Sequence, residues 1–381
     1  MNPILRFENT SYMNENVLNM IHISDIHFGV INPKVEYDIL VEQVINVIEP
    51  LNFRIFCING DLFDKKFMSN TEPILYASLF VSLIVEMCKR KNATLIIIDG
   101  TESHDSGQLK IFYHYLNDPY IDIRIVEKIK FEYVDDMKIL CIPELYNIKE
   151  DVYRHFLFYS GLYDLCFMHG RMEGAIYNSK TDQSRLFTIK DFCNCKGPII
   201  SGHVHIAGCF SSYFYYTGSP IRWCFGEENE KGFLIVLYDK LTRQHYTYLQ
   251  EVKSFRYDTI NADELVDKDP KTIIDYVDNL HKNGVDNIRL EFTKTIPADN
   301  LTILNNYFRK VNYVKLKIID TITKKIERSK SQEEKELYEQ YSYLYDNKLT
   351  EYEKLSRFIM DKENIYIGAD IIKEMVMNND L

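Results

Sequence analysis

The chain has 381 residues, of which 46% are hydrophobic and 27% are charged, and its formal net charge is −11. This composition excludes a disordered protein and is sufficient for one large core and a second, smaller one. The acidic balance argues against a protein that holds nucleic acid by bulk electrostatics alone, so a nucleic-acid role needs metal ions or a partner. The longest apolar stretch, residues 74–88, is shorter than the roughly 20 residues of a membrane span and predicts a buried helix, so we expect no membrane partner.

Eight cysteines are scattered along the chain, several of them within apolar runs, and no leader peptide precedes them. We therefore expect reduced, mostly packed thiols and a cytoplasmic location. Cys193 and Cys195 form a single Cys-x-Cys pair, which without a second pair is more typical of packed thiols than of a soft-metal site.

Residues 1–19 are polar and aperiodic, and we interpret them as an N-terminal extension. From residue 20 onward, short apolar strands alternate with helical stretches. Strands are predicted at 20–29, 53–61, 93–100, 138–144, 163–170, 197–203 and 232–239, with a helix near 73–90. Continuous apolar strands separated by helices predict a central β-sheet covered on both faces, in a first domain that spans residues 20–250.

Residues 251–381 have a different pattern of apolar and polar residues from the first domain. Within residues 251–321 the pattern predicts a helix closed by Gly284, a strand at 288–293, a helix at 298–310 and a strand at 313–320, which together make a small α/β module. Residues 322–381 are charged and predicted to be helical, and Leu337, Tyr341 and Tyr345 give an apolar stripe at spacings of four. This tail either packs on its own domain or docks on another protein, and the pattern does not separate the two.

Side chains that bind metals follow most of the predicted strands of the first domain, the exceptions being the strands at 138–144 and 232–239. Five of the ten histidines occupy such positions, whereas core histidines would be scattered through the elements. Residues i and i+2 of a strand point to the same face, so a pair at that spacing converges on one point. The candidates are Asp25 and His27, Asp61, His104, His169, and His203 and His205.

This set of side chains suits a pair of transition-metal ions. Mixed carboxylate and imidazole ligands favour Mn, Fe or Zn over Mg or Ca, which prefer oxygen ligands alone. At least six ligands are too many for one tetrahedral ion. Two ions about 3.5 to 4 Å apart, bridged by Asp61, would let a hydroxide attack phosphorus while both ions neutralise the phosphoryl oxygens.

The segments SDIHFG, NGDLFD, SHD, MHG and SGHVH resemble, in order and spacing, the five signature blocks of calcineurin-like metallophosphoesterases. The segment YYTGSPIRWCFGEENEKGFLIV, residues 215–236, is similar to the one that follows the last metal block in SbcD-type DNA repair nucleases. This resemblance covers roughly residues 20–240, and residues 251–321 resemble the capping domain of that family in position and size. It implies an α/β metallophosphoesterase sandwich with a small α/β capping domain and a C-terminal helical tail.

The resemblance also implies roles for the candidate residues. One ion would be held by Asp25, His27, Asp61 and His205, and the other by Asp61, His169 and His203. His104 would protonate the leaving 3′-oxygen or steady the scissile phosphate, which suits an imidazole near neutral pH. Members of the family hydrolyse DNA with manganese, work with an SbcC-like coiled-coil ATPase and commonly form homodimers through the nuclease domain.

The chain departs from the family pattern at one block. Where the family has Gly-Asn-His-Asp, this chain reads DGTESHDSGQL, which is two residues longer and lacks the asparagine ligand. Ser103 occupies the position before His104, and Thr101 is a second candidate to replace the amide. Otherwise the second ion is held more loosely, a water takes the place, or the loop has another geometry. The variant is similar to bacteriophage members of the family, which implies the cytoplasm of an infected bacterial cell.

Three functions are compatible with these observations. The leading hypothesis is a Mn-dependent DNA exo- and endonuclease, the nuclease subunit of an SbcCD-like complex for double-strand-break repair and recombination. A phosphodiesterase acting on a small molecule is the second, although a small substrate does not require the long C-terminal extension. The third is a metal-binding scaffold that binds the ATPase and whose catalytic loop has decayed, which the missing asparagine favours.

Overall fold

The computed structural model describes residues 5–6, 16–146, 148–175, 184–227, 229–318, 349–363, 369–371 and 373. These residues divide into two compact units. The larger takes in the described residues up to Ile260 together with Asp269–Leu290 and Ile303–Leu316, and the smaller takes in Asn261–Lys268, Glu291–Thr302 and the described residues from Lys317 onward. The predicted boundaries after residues 19, 250 and 321 stay predictions.

The chain forms eighteen strands and seven α-helices within its described part. The strands are β1 (Leu5–Arg6), β2 (Val17–Ile23), β3 (Ile55–Asn59), β4 (Thr94–Ile98), β5 (Asp122–Val126), β6 (Lys130–Val134), β7 (Met137–Ile142), β8 (Leu165–His169), β9 (Arg171–Met172), β10 (Leu186–Phe187), β11 (Ile199–Gly202), β12 (Gly208–Ser211), β13 (Phe214–Tyr216), β14 (Gly232–Asp239), β15 (His245–Glu251), β16 (Tyr257–Asn261), β17 (Asn287–Phe292) and β18 (Val314–Ile318). The helices are α1 (Pro33–Leu40), α2 (Asn46–Ile48), α3 (Glu72–Lys91), α4 (Glu150–Arg154), α5 (Pro270–Lys282), α6 (Ala298–Phe308) and α7 (Glu351–Glu363).

Two large mixed sheets carry the fold of the larger unit. The first has seven strands in the order β1-β15-β14-β2-β3-β4-β5, and the second has six in the order β12-β13-β11-β8-β7-β6. Strands β2 to β5 run parallel to one another, as do β7, β8, β11 and β13. Parallel strands require crossover connections, which the helices and short loops between them supply.

The core lies between the two sheets and on their outer faces. Along β3, Ile55 and Cys57 point into the layer between the sheets, while Phe56 and Ile58 pack under the helices on the outer face. Strands β2, β4, β7 and β8 alternate in the same way, because successive side chains of a strand point to opposite faces. The prediction of an α/β sandwich is confirmed, with two central sheets rather than one.

The predicted elements coincide closely with the observed ones. Each predicted strand of the first domain is present, and the predicted helix near 73–90 is α3, which begins with a proline in its first turn and ends at Asn92 in a left-handed conformation (φ 51°). Strand β2 begins three residues before the predicted start, so Val17 to Asn19 belong to the first sheet and pair with β14. The sequence analysis predicted none of the strands β5, β6, β12, β13 and β15, which lie at or next to the edges of the two sheets.

Residues 270–318 follow the predicted order of helix, strand, helix and strand. These elements are α5, β17, α6 and β18, and β16, β17 and β18 form a three-stranded sheet. The predicted apolar stripe of Leu337, Tyr341 and Tyr345 lies outside the described residues. Within the described part of the chain, no helix has the length and apolar character needed to cross a membrane.

All eight cysteines are free thiols. Cys57, Cys88, Cys141 and Cys166 are buried, as expected, Cys195 and Cys209 are partly buried, and Cys193 and Cys224 are exposed. Neither Cys193 nor Cys195 lies in a group of described residues with the spacing of metal ligands.

Candidate metal centre

The predicted ligands meet where parallel strands of both sheets end. Asp25 and His27 follow β2, Asp61 follows β3, His169 is the last residue of β8, and His203 follows β11 directly. The chain after β2 stays paired with the chain after β3, since the backbone N–H of Asp25 donates to the Gly60 carbonyl (3.0 Å) and that of His27 to the Asp61 carbonyl (3.1 Å). This pairing holds the two ligand segments side by side beyond the sheet.

Several of these ligand positions have a left-handed backbone. The φ angles of Asp25, His27, Asp61 and His203 are 50°, 56°, 51° and 85°. Asp and His adopt this conformation more readily than most residues, yet each instance outside glycine costs on the order of 1–3 kcal/mol. The rest of the fold therefore stabilises an arrangement that these segments would not adopt alone, as is common at functional sites.

Asp25, His27 and His205 form what we call the outer group. The Nε2 atoms of His27 and His205 face each other at 3.3 Å, and His205 Nε2 lies 3.7 Å from Asp25 Oδ1. The Asp25 carboxylate also accepts the backbone N–H of His203, at 3.0 and 3.1 Å, which connects the two sheets across the site. On the far side of the His205 ring, Nδ1 lies 3.2 Å from Glu227 Oε1.

Glu144, His169 and His203 form the inner group, whose three side chains are buried. Glu144 Oε2 lies 2.9 Å from His203 Nδ1 and 3.5 Å from His169 Nε2. Two atoms bound to one ion at about 2.0 to 2.2 Å and at angles of about 90° to 110° are about 2.8 to 3.6 Å apart. The spacing of the inner group matches that of atoms that share an ion.

Asp61 lies between the two groups. Its Oδ2 atom is 3.7 Å from His27 Nε2 in the outer group and 3.3 Å from His169 Nε2 in the inner group. Thr101 fixes the carboxylate, since its backbone N–H donates to Oδ1 at 2.6 Å and its hydroxyl to Oδ2 at 3.0 Å. One carboxylate oxygen is thus shared by both groups, which is the arrangement that a bridging ligand requires.

His169 tests whether a cation fits here. Its Nδ1 lies 2.7 Å from the Asn59 carbonyl and therefore carries a proton, so the neutral ring has a lone pair on the buried Nε2. Burial opposes the charge of this ring, but the Asp61 carboxylate raises the pKa of His169 well above its usual value. Nε2 faces the oxygens of Asp61 and Glu144 without a hydrogen bond of good geometry to either one within the described chain. Lone pairs that face one another are unfavourable, and a cation on Nε2 resolves the conflict. In the metal-free chain that cation is a proton, as the raised pKa of His169 indicates, and a divalent ion that takes its place would be shared by the same three side chains, so the donor set fits a metal ion.

The electrostatics of the cluster keep its carboxylates charged. Burial opposes the ionisation of Asp61, but the His169 imidazole holds the pKa of Asp61 well below its usual value. Burial likewise opposes ionisation of Glu144, and the hydrogen bond to His203 brings the net pKa of Glu144 below its usual value. Burial lowers the pKa of His27 to about 3 in spite of the Asp61 carboxylate, so this ring is neutral and able to donate a lone pair.

The loop that follows β4 packs tightly against the cluster. A Cβ atom at Gly100 would overlap the backbone nitrogen and the carboxylate of Asp61, so only glycine fits. The buried Asp105 carboxylate organises the same region by accepting backbone N–H groups from Leu62 (3.2 Å), Phe63 (3.0 Å) and Gly100 (3.1 Å). This loop therefore fixes the position of Asp61.

His104 and Ser103 belong to this loop but differ in position. The His104 ring lies 4.8 Å from the His27 ring, and His104 and His27 also come close to Asp64. The Ser103 side chain is exposed, and the structure does not bring it to the inner group. Its alternative, Thr101, lies at the centre, where its hydroxyl reaches the carboxylates of Asp61 and Glu144 at 3.0 and 3.1 Å.

A crevice of about 410 Å³ opens onto the cluster. His104, Thr101 and Trp223 are among its lining residues, and the Trp223 ring stands 5.0 Å from the His27 ring and 5.1 Å from the His205 ring. Lys231 also lines it, but its ammonium donates to the His205 carbonyl (3.1 Å) and to Ser219 Oγ (2.8 Å). The crevice thus offers an aromatic wall and a histidine cluster.

The sequence analysis missed three residues of the site. Glu144 ends the predicted strand at 138–144, which was wrongly set aside as one without a ligand. Its signal was a carboxylate directly after an apolar strand, the criterion that identified Asp61. Asp64 and Glu227 were present in the quoted motifs, and the structure brings them to His104 and His205.

A comparison with known proteins finds a viral relative that aligns with about 70% of this chain. The chain is 24% identical over 300 residues to putative phosphoesterase 078R of Invertebrate iridescent virus 3, covering 70% of this chain and 71% of the viral protein. An identity of 24% does not assign the chain to a family, and the description of this relative names a phosphoesterase but no SbcD-type nuclease. No protein-family model matches the chain.

The solved structures that resemble the chain do so only weakly. One chain is 12% identical, with a TM-score of 0.38 over 62% of this chain and all (100%) of its own length. A cold-active protein tyrosine phosphatase is 12% identical, with a TM-score of 0.29 over 60% of this chain and 78% of its own. Similarity at this level carries no argument about function.

Proposed function

We propose that the protein is a phosphoesterase that uses divalent metal ions. The observation that carries this proposal is the shared position of Asp61, whose Oδ2 lies 3.7 Å from a ring nitrogen of the outer group and 3.3 Å from one of the inner group. The similarity to a viral protein described as a phosphoesterase points to the same reaction class.

In this proposal the outer group and Asp61 would hold one ion, and Asp61, His169 and His203 would hold the other. When bound, such a pair supplies a hydroxide nucleophile and neutralises the oxygens of the phosphoryl group. His104 lines the crevice beside His27, and its buried Nδ1 has no hydrogen-bond partner among the described residues. A ring in this position is suited to giving a proton to the leaving oxygen.

The charges along the crevice explain why metal ions are required. A phosphate ester brings at least one negative charge to a surface that already carries Asp61, Asp64 and Glu227. Among the lysines and arginines that the structure describes, only Lys231 lines this crevice, and its ammonium lies 3.4 Å from Glu227 Oε2 with its side chain 2% exposed. Substrate charge must therefore be met by bound cations.

The finer part of the proposal is that manganese is the metal and DNA the substrate. The order of the motifs and the segment at 215–236, which resembles SbcD-type nucleases, support this choice. A role in recombination or repair, a coiled-coil ATPase partner and a homodimer formed through the nuclease domain follow from the same resemblance. A small-molecule phosphodiesterase or a catalytically weakened metal-binding scaffold for the ATPase are the alternatives.

The test is an assay of the purified chain with and without Mn²⁺ on three substrates. These are bis-p-nitrophenyl phosphate, end-labelled single-stranded DNA and end-labelled duplex DNA. Release of nucleotides from DNA supports the nuclease, whereas hydrolysis of the aryl ester alone supports the small-molecule enzyme. Failure to cleave any of the three in spite of bound Mn²⁺ supports the scaffold and contradicts the enzyme.

A further inference from the structure

The inner group has one more ligand than the motifs account for. The resemblance assigns His169, His203 and the shared Asp61 to the second ion and leaves the position of the missing asparagine open. We propose that Glu144 takes that position, so that a carboxylate from the segment after β7 replaces the amide of the loop after β4. This inference rests on the proposed two-metal phosphoesterase and names a ligand of that site.

The geometry of Glu144 supports this role. Its Oε2 atom converges with His203 Nδ1 at 2.9 Å and with His169 Nε2 at 3.5 Å, inside the range of about 2.8 to 3.6 Å that we derived above for atoms sharing one ion. The Glu144 side chain is 1% exposed, and a buried carboxylate is costly unless it is paired or binds a metal.

The other carboxylate oxygen of Glu144, Oε1, accepts a hydrogen bond from Tyr146. The Tyr146 hydroxyl donates to Oε1 at 2.6 Å, while Oε2 points to the two histidines. Hydrogen bonds of this kind orient metal ligands, and their loss typically weakens metal binding by about 10- to 100-fold. Tyr146 is therefore a positioning residue for the proposed ligand.

The two replacements suggested by the sequence are less well placed. Ser103 is exposed, whereas the three side chains of the inner group are buried. The Thr101 hydroxyl lies 3.0 and 3.1 Å from the two carboxylates, so its single O–H donates to Asp61 or to Glu144. Thr101 thus positions the two carboxylates, and the negative charge at the second ion comes from Glu144.

A carboxylate in place of an amide changes the chemistry of the second ion. It adds one negative charge to the site, which strengthens the attraction for a divalent cation and reduces the ability of that cation to polarise a bound phosphate. The exchange also removes any need for the loop after β4 to supply a ligand. The two extra residues of that loop are then tolerated, because its exposed part does not bind metal.

Mn²⁺ binding to the full chain tests the inference without any turnover. Equilibrium dialysis with metal analysis should give two equivalents for the wild-type chain. We expect Glu144→Ala to keep the first equivalent and to weaken the second by at least about 100-fold, more than the loss of a positioning partner. Glu144→Gln keeps an oxygen of the amide kind that the family uses, so it should weaken the second equivalent less than Glu144→Ala does. Tyr146→Phe should weaken the second equivalent by about 10- to 100-fold.

Two measurements control this experiment. Glu102→Gln removes a carboxylate from an exposed position of the same loop and should leave both equivalents unchanged. Anomalous diffraction from wild-type crystals grown with Mn²⁺ should place Glu144 Oε2 within about 2.0 to 2.6 Å of the second ion, the range of metal–oxygen bonds. That second measurement is independent of whether any variant folds.

The possible outcomes separate the inference from the proposed function. A second ion retained at wild-type affinity in Glu144→Ala, or located away from Glu144 in the crystal, overturns the inference even if the chain hydrolyses phosphate esters. Binding of fewer than two ions to the wild-type chain overturns it as well. Two ions of which one contacts Glu144, in a chain that hydrolyses no ester, support the inference and contradict the enzyme.

Discussion

The outer and inner groups bind through similar atoms but are assembled from the sequence in different ways. In the outer group Asp25 and His27 are two residues apart, and the His205 side chain is 35% exposed to the crevice. In the inner group Glu144, His169 and His203 come from three separate strand ends and are buried. Asp25 and His27 are neighbours in the chain and identify each other as a motif, whereas Glu144 has no second ligand beside it and is recognised only once the fold brings it to His169 and His203.

Asp61→Ala should have the largest effect, because Asp61 is the one side chain that both groups share. We expect loss of detectable hydrolysis and a sharp fall in bound Mn²⁺ in both sites. The measurement is metal content together with cleavage of bis-p-nitrophenyl phosphate. Asp38→Ala, in an exposed ion pair with Lys34, serves as the control and should change neither. Two equivalents retained in Asp61→Ala would show that the groups are independent.

His104→Ala should lower turnover while both groups keep their metal. A general acid or base contributes about 100- to 10,000-fold, and we expect a loss in that range with unchanged Mn²⁺ content. His114→Ala removes an exposed histidine and is the matched control. An unaltered rate would exclude His104 from the reaction, and a loss of metal would make it a ligand, as its approach to His27 and Asp64 also allows.

Glu227→Gln should affect the outer group alone. Glu227 Oε1 lies 3.2 Å from His205 Nδ1 and so orients the ring, and losing such a partner weakens metal binding by about 10- to 100-fold. Binding isotherms should show one weakened equivalent and one unchanged, and the weakened one should be the equivalent that Glu144→Ala leaves intact. Glu230→Gln, an exposed position near the same turn, is the control. Weakening of both equivalents would mean that the outer group does not behave as a separate site.

Thr101→Val should have the smallest effect on Mn²⁺ affinity, and it tests which of Thr101 and Ser103 contributes to the metal site. It removes a hydroxyl that spans Asp61 and Glu144, and the loss of about 0.5 to 1.5 kcal/mol for one hydrogen bond corresponds to a decrease of about 2- to 13-fold in Mn²⁺ affinity. Ser103→Ala should leave Mn²⁺ affinity unchanged because that side chain is exposed. If Ser103→Ala lowered Mn²⁺ affinity more than Thr101→Val did, Ser103 would be a metal ligand or a neighbour of one.

Much of the fold could be predicted because its central strands are buried on both faces. Ile55–Asn59 and Thr94–Ile98 are buried throughout and apolar at four of five positions each, which is the pattern of a covered parallel sheet. The edge strands β5 and β6 are partly exposed, and polar residues interrupt their apolar positions, so they have no apolar run from which to predict them. The division of the strands between two sheets depends on long-range pairing, which local periodicity does not contain.

The part of the site that could be predicted consists of ligands that share one local position, directly after a strand. Asp25, His27 and Asp61 each stand just after a strand, in or beside a glycine-containing turn, and this arrangement is visible in the sequence. Glu144 follows a proline and has no second ligand beside it. Glu227 acts through His205 and lies 22 residues from it, so its role depends on how the turn after β13 folds back.

Trp223 gives the protein a built-in optical reporter. It is the single tryptophan of the chain, and its indole stands 5.0 and 5.1 Å from two rings of the outer group. A paramagnetic ion bound there quenches the emission of a nearby fluorophore, whereas a diamagnetic ion such as Zn²⁺ changes it far less. Filling of the outer site can therefore be followed in real time without a label, and the order in which the two sites fill can be observed directly in solution.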